Sequence, residues 1–144
     1  MSLLQTDGVG LWGPDLRRGN KLGPLIARGL SDAYLEETIR IGDSPETLDF
    51  WWSRQTFAVE DVATDPRVPE VQRAALLREG FRSILNTQVR VGDELFGSFT
   101  VGRRSPHRFS QQEQRLLSAL GQRAGLAIRN ARLFEQSQQA AALQ

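Results

Sequence analysis

Phe50, Trp51 and Trp52 stand side by side, and this run of three aromatic side chains is the most unusual local feature of the chain. Aromatic faces hold planar molecules by stacking, with little demand for directional hydrogen bonds. The same rings would equally fill such a pocket from within. Neighbours on a helix point about 100° apart, so one of Trp51 and Trp52 is expected to face inward. Further along, the run from Leu95 to Val101 alternates as a strand does. Alternation sets Leu95, Phe99 and Val101 on one face and Phe96, Ser98 and Thr100 on the other. The second face places hydroxyls in an apolar setting, as a small-ligand pocket would. Ser83 and Thr87 are candidates to join it from a neighbouring strand. Small polar side chains bonded to the backbone would read the same way. Asp61, at a strand end, is the last candidate: its carboxylate can meet a ligand or bond its own backbone in the following turn.

The inventory also excludes chemistry. There is no cysteine, which removes disulfides, thiolate metal sites, thiol nucleophiles and cofactors attached through sulfur. The single histidine, His107, cannot build a multi-histidine metal site. It lies in Arg103-Arg104-Ser105-Pro106-His107-Arg108, a Pro-flanked arginine loop that gives an axial haem ligand poor shelter. That loop could attract an anion or an acidic partner domain, or simply be solvated. No carboxylate pair and no nucleophile–base pair stands out, so no enzymatic activity is expected and the cofactor is unknown. With 18 basic against 17 acidic residues, nothing drives the chain toward nucleic acid or an anionic membrane. No stretch nears the ~20 apolar residues that span a bilayer. The first residues lack the basic and apolar regions of a signal peptide, so a cytoplasmic location is expected.

The 144 residues suit one domain. Val9 to Trp12 and Leu22 to Ala27 read as a hairpin, with Pro24 marking an edge or a bulge. Ser31 caps a short helix from Ala33 to Thr38, and Ser44-Pro45 opens a second that carries the aromatic run to Arg54. Thr56 to Val62 reads as a strand and Pro69 to Glu79 as a helix with Val71, Ala74, Ala75 and Leu77 inward and Gly80 as its stop. Phe81 to Val91 and Glu94 to Gly102 form a hairpin about Gly92-Asp93. Ser110 and Glu113 make a capping box for a long C-terminal helix, about 110–140, weakened only at Gly121 and Gly125, whose Gln/Ala-rich end from Gln136 is expected to fray. Hairpins and helices in this order imply an α+β fold with an antiparallel sheet.

The stretch Phe57-Ala58-Val59-Glu60-Asp61-Val62-Ala63-Thr64-Asp65-Pro66-Arg67 resembles the middle strand and following turn of a GAF domain. Leu76 to Leu85, Leu95 to Val101, Arg108 to Glu113, Leu116-Leu117 and Ala124 to Ala131 are similar to later parts of the same family, in the same order. The resemblance covers roughly residues 7–135. It implies a PAS-related sheet of about six antiparallel strands, with helices on one face and a ligand pocket on the other. It also implies a ligand-sensing regulatory domain of a bacterial signal-transduction protein, such as a sensor histidine kinase, a cyclic-di-nucleotide enzyme or a transcription regulator. A ligand-free GAF module for dimerisation or protein interaction is the alternative. Thr87-Gln88-Val89 stands where the family often has Val-Pro-Leu. No Asn-Lys-Phe-Asp-type cyclic-nucleotide signature is present, and the lack of cysteine rules out a covalently attached bilin. The family usually begins with a long helix, yet only Met1 to Thr6 precede the first strand, so the chain is expected to be a fragment of a larger multidomain protein with an adjacent output domain.

The C-terminal helix carries two apolar stripes. Leu117, Leu120, Ala124, Ala127, Ile128, Ala131 and Phe134 form a broad one, suited to covering a sheet. Ala119, Leu126 and Leu133, seven residues apart, form a narrow one. The narrow stripe is expected to meet the same helix of a second copy, the alternative being that the family's leading helix covers it in the full-length protein.

Overall fold

A computed structural model describes residues 5–42 and 44–142. Met1 to Leu4, where the family's leading helix would end, lie outside those residues. Strands β1 (Gly8–Asp15) and β2 (Lys21–Arg28) come first, joined through one 3-10 turn at Leu16–Arg18. Helices α1 (Asp32–Ile41) and α2 (Pro45–Trp52), strand β3 (Thr56–Val59) and helix α3 (Glu70–Glu79) follow. The hairpin β4 (Ser83–Val91) and β5 (Glu94–Arg103) and the long helix α4 (Gln111–Ala142) complete the order that the hairpin and cap signals predict. Those signals act as expected: Ser31 Oγ accepts from the Tyr34 backbone N–H at 3.1 Å, and Ser44 Oγ from that of Thr47 at 3.2 Å. Gly80 ends α3 at φ 92°, a conformation open to glycine and strained for other residues. α4 continues as helix past Gln136.

Among the described residues the sheet has five strands, in the order β2-β1-β5-β4-β3 and antiparallel throughout, against the about six that the resemblance implies. α4 covers one face, over Leu85, Val101, Phe109 and Leu117. The other face is not left open. α1, α2 and α3 lie across it on Tyr34, Phe57, Val59, Leu76, Phe81 and Ile84, so any pocket there sits beneath helices. In α3 the inward residues are Gln72, Ala75 and Leu76, whereas Val71, Ala74 and Leu77 are exposed. The polar Gln72 is inward because the pocket supplies it with partners, which hydropathy alone cannot signal.

α4 is also turned from its expected seat. Leu117, Gly121 and Gly125 face the sheet, while Leu120, Ala127, Ala131 and Phe134 are exposed, a rotation of roughly a quarter turn. A Cβ on Gly121 would lie 2.8 Å from Thr87 Cγ2, and one on Gly125 would run into the Arg90 carbonyl oxygen. The two glycines are thus the seam along which α4 meets β4. At the root of α4, Glu113 accepts from the Ser110 backbone N–H at 2.9 Å and contacts His107 Nε2 at 3.1 Å. Burial alone would raise the Glu113 pKa, but these hydrogen bonds outweigh it and hold the carboxyl below its ordinary range.

Candidate functional site

A cavity of about 40 Å³ lies between the sheet and the helices α1 and α2. Strands β1 and β5 contribute Trp12, Ser98 and Thr100, β2 adds Leu22, and α1 adds Tyr34, Thr38 and Ile41. α2 contributes Thr47, Leu48, Trp51 and Trp52, and α3 contributes Gln72. Ligand pockets for drug-sized molecules span roughly 300–1,000 Å³, so this space admits little more than water as it stands.

Its walls are tied together by a chain of hydrogen bonds. The Trp12 indole folds back over Gly10, where any Cβ would collide with the ring, and its Nε1 donates to Thr38 Oγ1 at 3.2 Å. Trp51 Nε1 donates to Gln72 Oε1 at 3.2 Å, and Gln72 Nε2 donates to Thr47 Oγ1 at 3.1 Å. Behind the cavity, Thr100 Oγ1 donates to Asn86 Oδ1 at 2.6 Å, while Asn86 Nδ2 donates to the Trp51 carbonyl at 2.9 Å. Gln88 Nε2 donates to the Trp52 carbonyl at 2.7 Å. Two side chains from β4 thereby cap the C-terminal end of α2.

Ser98 stands apart from this chain of bonds. The residue is only 4 % exposed, yet among the described residues its Oγ has no hydrogen-bond partner. No polar side-chain atom that is fully closed off among those residues lacks a partner, so the Ser98 hydroxyl must open on free space, and the space it borders is the cavity. Tyr34, 7 % exposed, also borders the cavity and has no partner for its hydroxyl among the described residues. Burial, with Glu79 and Glu37 adding to it, raises the Tyr34 pKa and keeps the phenol neutral.

Of the residues that the sequence singles out, Trp51, Trp52, Ser98 and Thr100 border the cavity and the others do not. Both tryptophans do so, where one was expected, because α2 ends against the cavity and its last two side chains flank the mouth. Phe96 turns to the α4 face, beneath the Arg132 guanidinium, 5.6 Å from its ring centre. A bulge between Val89 and Arg90 leaves Phe96 without an opposite residue, which breaks the alternation that assigned its face. Ser83 and Thr87 are on the α4 face of β4 too: Ser83 Oγ donates to the Ser105 carbonyl at 2.9 Å, and Thr87 Oγ1 pairs with Thr56 Oγ1 at 2.9 Å. Asp61 is a structural residue. It accepts from the Ala63 backbone N–H at 3.0 Å and from both prongs of Arg82 at 3.0 and 3.2 Å, and that guanidinium lowers its pKa. The arginine loop is likewise engaged: Arg104 stacks 5.2 Å over Phe81 and donates to the Glu79 carbonyl. Sequence reasoning missed Trp12, Tyr34, Thr38, Thr47, Gln72 and Asn86. Only the Gly10-x-Trp12 pairing, a small residue beside a large one on the same face, held a signal.

Comparison with known proteins agrees with this architecture. The profile of the GAF domain family matches residues 7–129. Similar solved structures include a domain of a protein assigned as a two-component sensor histidine kinase from Sinorhizobium meliloti, with TM-score 0.78, 23% identity, and coverage of 94% of this chain and 87% of that one. A GAF domain/HD domain protein from Geobacter sulfurreducens has TM-score 0.67 at 20% identity, covering 91% and 85%. The phycocyanobilin-bound GAF domain of a cyanobacterial phytochrome has TM-score 0.66 at 16% identity, covering 89% and 77%. The profile spans nearly the whole of the sheet and its helices, including every strand that borders the cavity, and the chain belongs to the GAF domain family.

Proposed function

We propose that this GAF domain is a cytoplasmic, non-catalytic sensor module of a bacterial signal-transduction protein, in which a small molecule in the cavity biases α4 and, through it, an output domain. The observation that carries this reading is the Ser98 hydroxyl, which opens on the cavity and, among the described residues, has no hydrogen-bond partner. Whatever occupies the cavity, water or a small molecule, can bond it there. The relay follows from β4. Its Asn86 and Gln88 brace the cavity side, and Thr87 with the Arg90 carbonyl meets α4 on the opposite side. A shift at the cavity therefore moves the surface on which α4 rests.

Hydrogen exchange tests the relay. Thr100→Val removes a bond behind the cavity without touching α4, and Val68→Ala makes a comparable loss of packing away from it. Thr100→Val is expected to speed exchange several-fold at the α4 amides from Leu117 to Ile128, well beyond the effect of Val68→Ala. Equal effects from both variants would remove the relay.

A second reading, a ligand-free dimerisation module, draws on the small cavity and on the outer face of α4. Ala119 is exposed there, and Leu126 and Leu133 are 60% and 53% exposed, joined by Phe134 at 65%. Apolar residues at seven-residue spacing on a 32-residue helix suit pairing with the same helix of a second copy. Light scattering is expected to show a dimer that Leu126→Glu with Leu133→Glu converts to a monomer. A monomeric parent chain, or an unchanged dimer in the double variant, would remove α4 as the interface.

A further inference from the structure

Among the described residues no ionised side chain borders the cavity, and this limits what it can hold. The C-terminal end of α2 is close by, but its last two carbonyls are already bonded to Asn86 and Gln88 and have little left to offer a cation. An ion placed here would give up its hydration and find no counter-charge among the described lining residues, which costs several kcal/mol or more. Its walls are rich in aromatic rings instead: Trp12, Tyr34, Trp51 and Trp52 border it, with the Trp12 indole seated against Gly10.

The three tryptophans differ in how they are held. Trp12 and Trp51 are each fixed through Nε1, to Thr38 and Gln72. Trp52 is half-buried, and among the described residues its Nε1 bonds to nothing. Its backbone is fixed by Gln88, so its side chain can rotate while α2 stays in place. The existing 40 Å³ is too small for an aromatic ring. The space that the Trp52 indole would vacate, added to it, matches a flat bicyclic molecule.

Building on the sensor reading, we infer that the site takes an uncharged, flat aromatic molecule of about indole size, which displaces the Trp52 side chain and hydrogen-bonds to Ser98. Trp52 borders the cavity where that molecule would lie. Its displacement couples occupancy to the end of α2 and, through Gln88, to β4.

The test keeps one ring system and varies its charge. The full chain has three tryptophans, so ¹⁵N-labelled indole groups give three side-chain signals, assigned with single Trp→Phe variants. Indole, indole-3-acetate and tryptamine are titrated at neutral pH, where they are neutral, anionic and cationic. Indole is expected to saturate, to move the Trp52 signal most, and to bind at least about tenfold more tightly than either charged analogue. Ser98→Ala is expected to weaken indole about fivefold through loss of one hydrogen bond. A charged analogue binding as tightly as indole would overturn the uncharged class and leave the sensor reading intact. Binding of indole with the Trp52 signal unmoved, or binding only to Trp52→Ala, would overturn the displacement. Failure of all three compounds to bind both the parent chain and Trp52→Ala would overturn this inference and the ligand pocket together.

Discussion

Replacing Gly125 by alanine is expected to lower the melting temperature by roughly 6 °C, although alanine is the better helix former by about 1 kcal/mol. The reason is the seam between α4 and β4. A Cβ at this position would occupy the place of the Arg90 carbonyl oxygen, which is backbone and cannot swing aside. Helix and strand must separate locally, and overpacking of this kind costs about 1–3 kcal/mol, occasionally more. The net loss is expected near 2 kcal/mol. Gly121→Ala provides the contrast. Its new methyl group would meet mainly Thr87 Cγ2 at 2.8 Å, the end of a side chain that can shift by tenths of an ångström. There the gain in helix propensity roughly cancels the crowding, and the expected change lies within about 1 kcal/mol of zero. Thermal unfolding of the two variants distinguishes the cases, and a raised melting temperature for Gly125→Ala would falsify the close-approach account.

These glycines also show where the sequence ceased to be legible. Read as a string, Gly121 and Gly125 look like weak points in a helix, because their merit depends on a strand that approaches from elsewhere. Elements with local signals were readable: the serine caps, the Gly80 stop and the Gly92-Asp93 turn all depend on bonds within a few residues. Ser98 and Thr100 were placed on the cavity face because alternation holds through that part of β5. Alternation failed two residues earlier, since the bulge beside Arg90 exists only once β4 and β5 pair. It offered nothing along β4. Helices cover both faces of that strand, so Ser83, Ile84, Leu85, Asn86 and Thr87 are all buried and no period separates cavity side from α4 side. Gln72 and Asn86 were missed for a related reason. A buried amide is recognisable only by its partners, and these lie 14 to 35 positions away in the chain.

Asn86→Leu is expected to be the most damaging single change near the cavity, destabilising the domain by about 3 kcal/mol. Asn86 is fully buried, and it joins two elements through opposite ends of one amide. Its Oδ1 takes the Thr100 hydroxyl proton at 2.6 Å, and its Nδ2 satisfies the Trp51 carbonyl at the end of α2 at 2.9 Å. Leucine matches the volume and supplies neither partner. Two groups then lose their bonds in a water-poor setting, at roughly 1–3 kcal/mol for each one left unsatisfied. Part of that cost is recoverable, because the α2 end can fray outward to reach water, which is why the expected sum falls below the maximum. The fraying would be visible as greater mobility of the Trp51 and Trp52 indoles. A double-mutant cycle isolates the Thr100 share. Thr100→Val alone is expected to cost about 1 kcal/mol, and in the Asn86→Leu background almost nothing, since the hydroxyl has already lost its acceptor. Strict additivity of the two changes in denaturant unfolding would show that the 2.6 Å bond contributes nothing to holding β4 and β5 together behind the cavity.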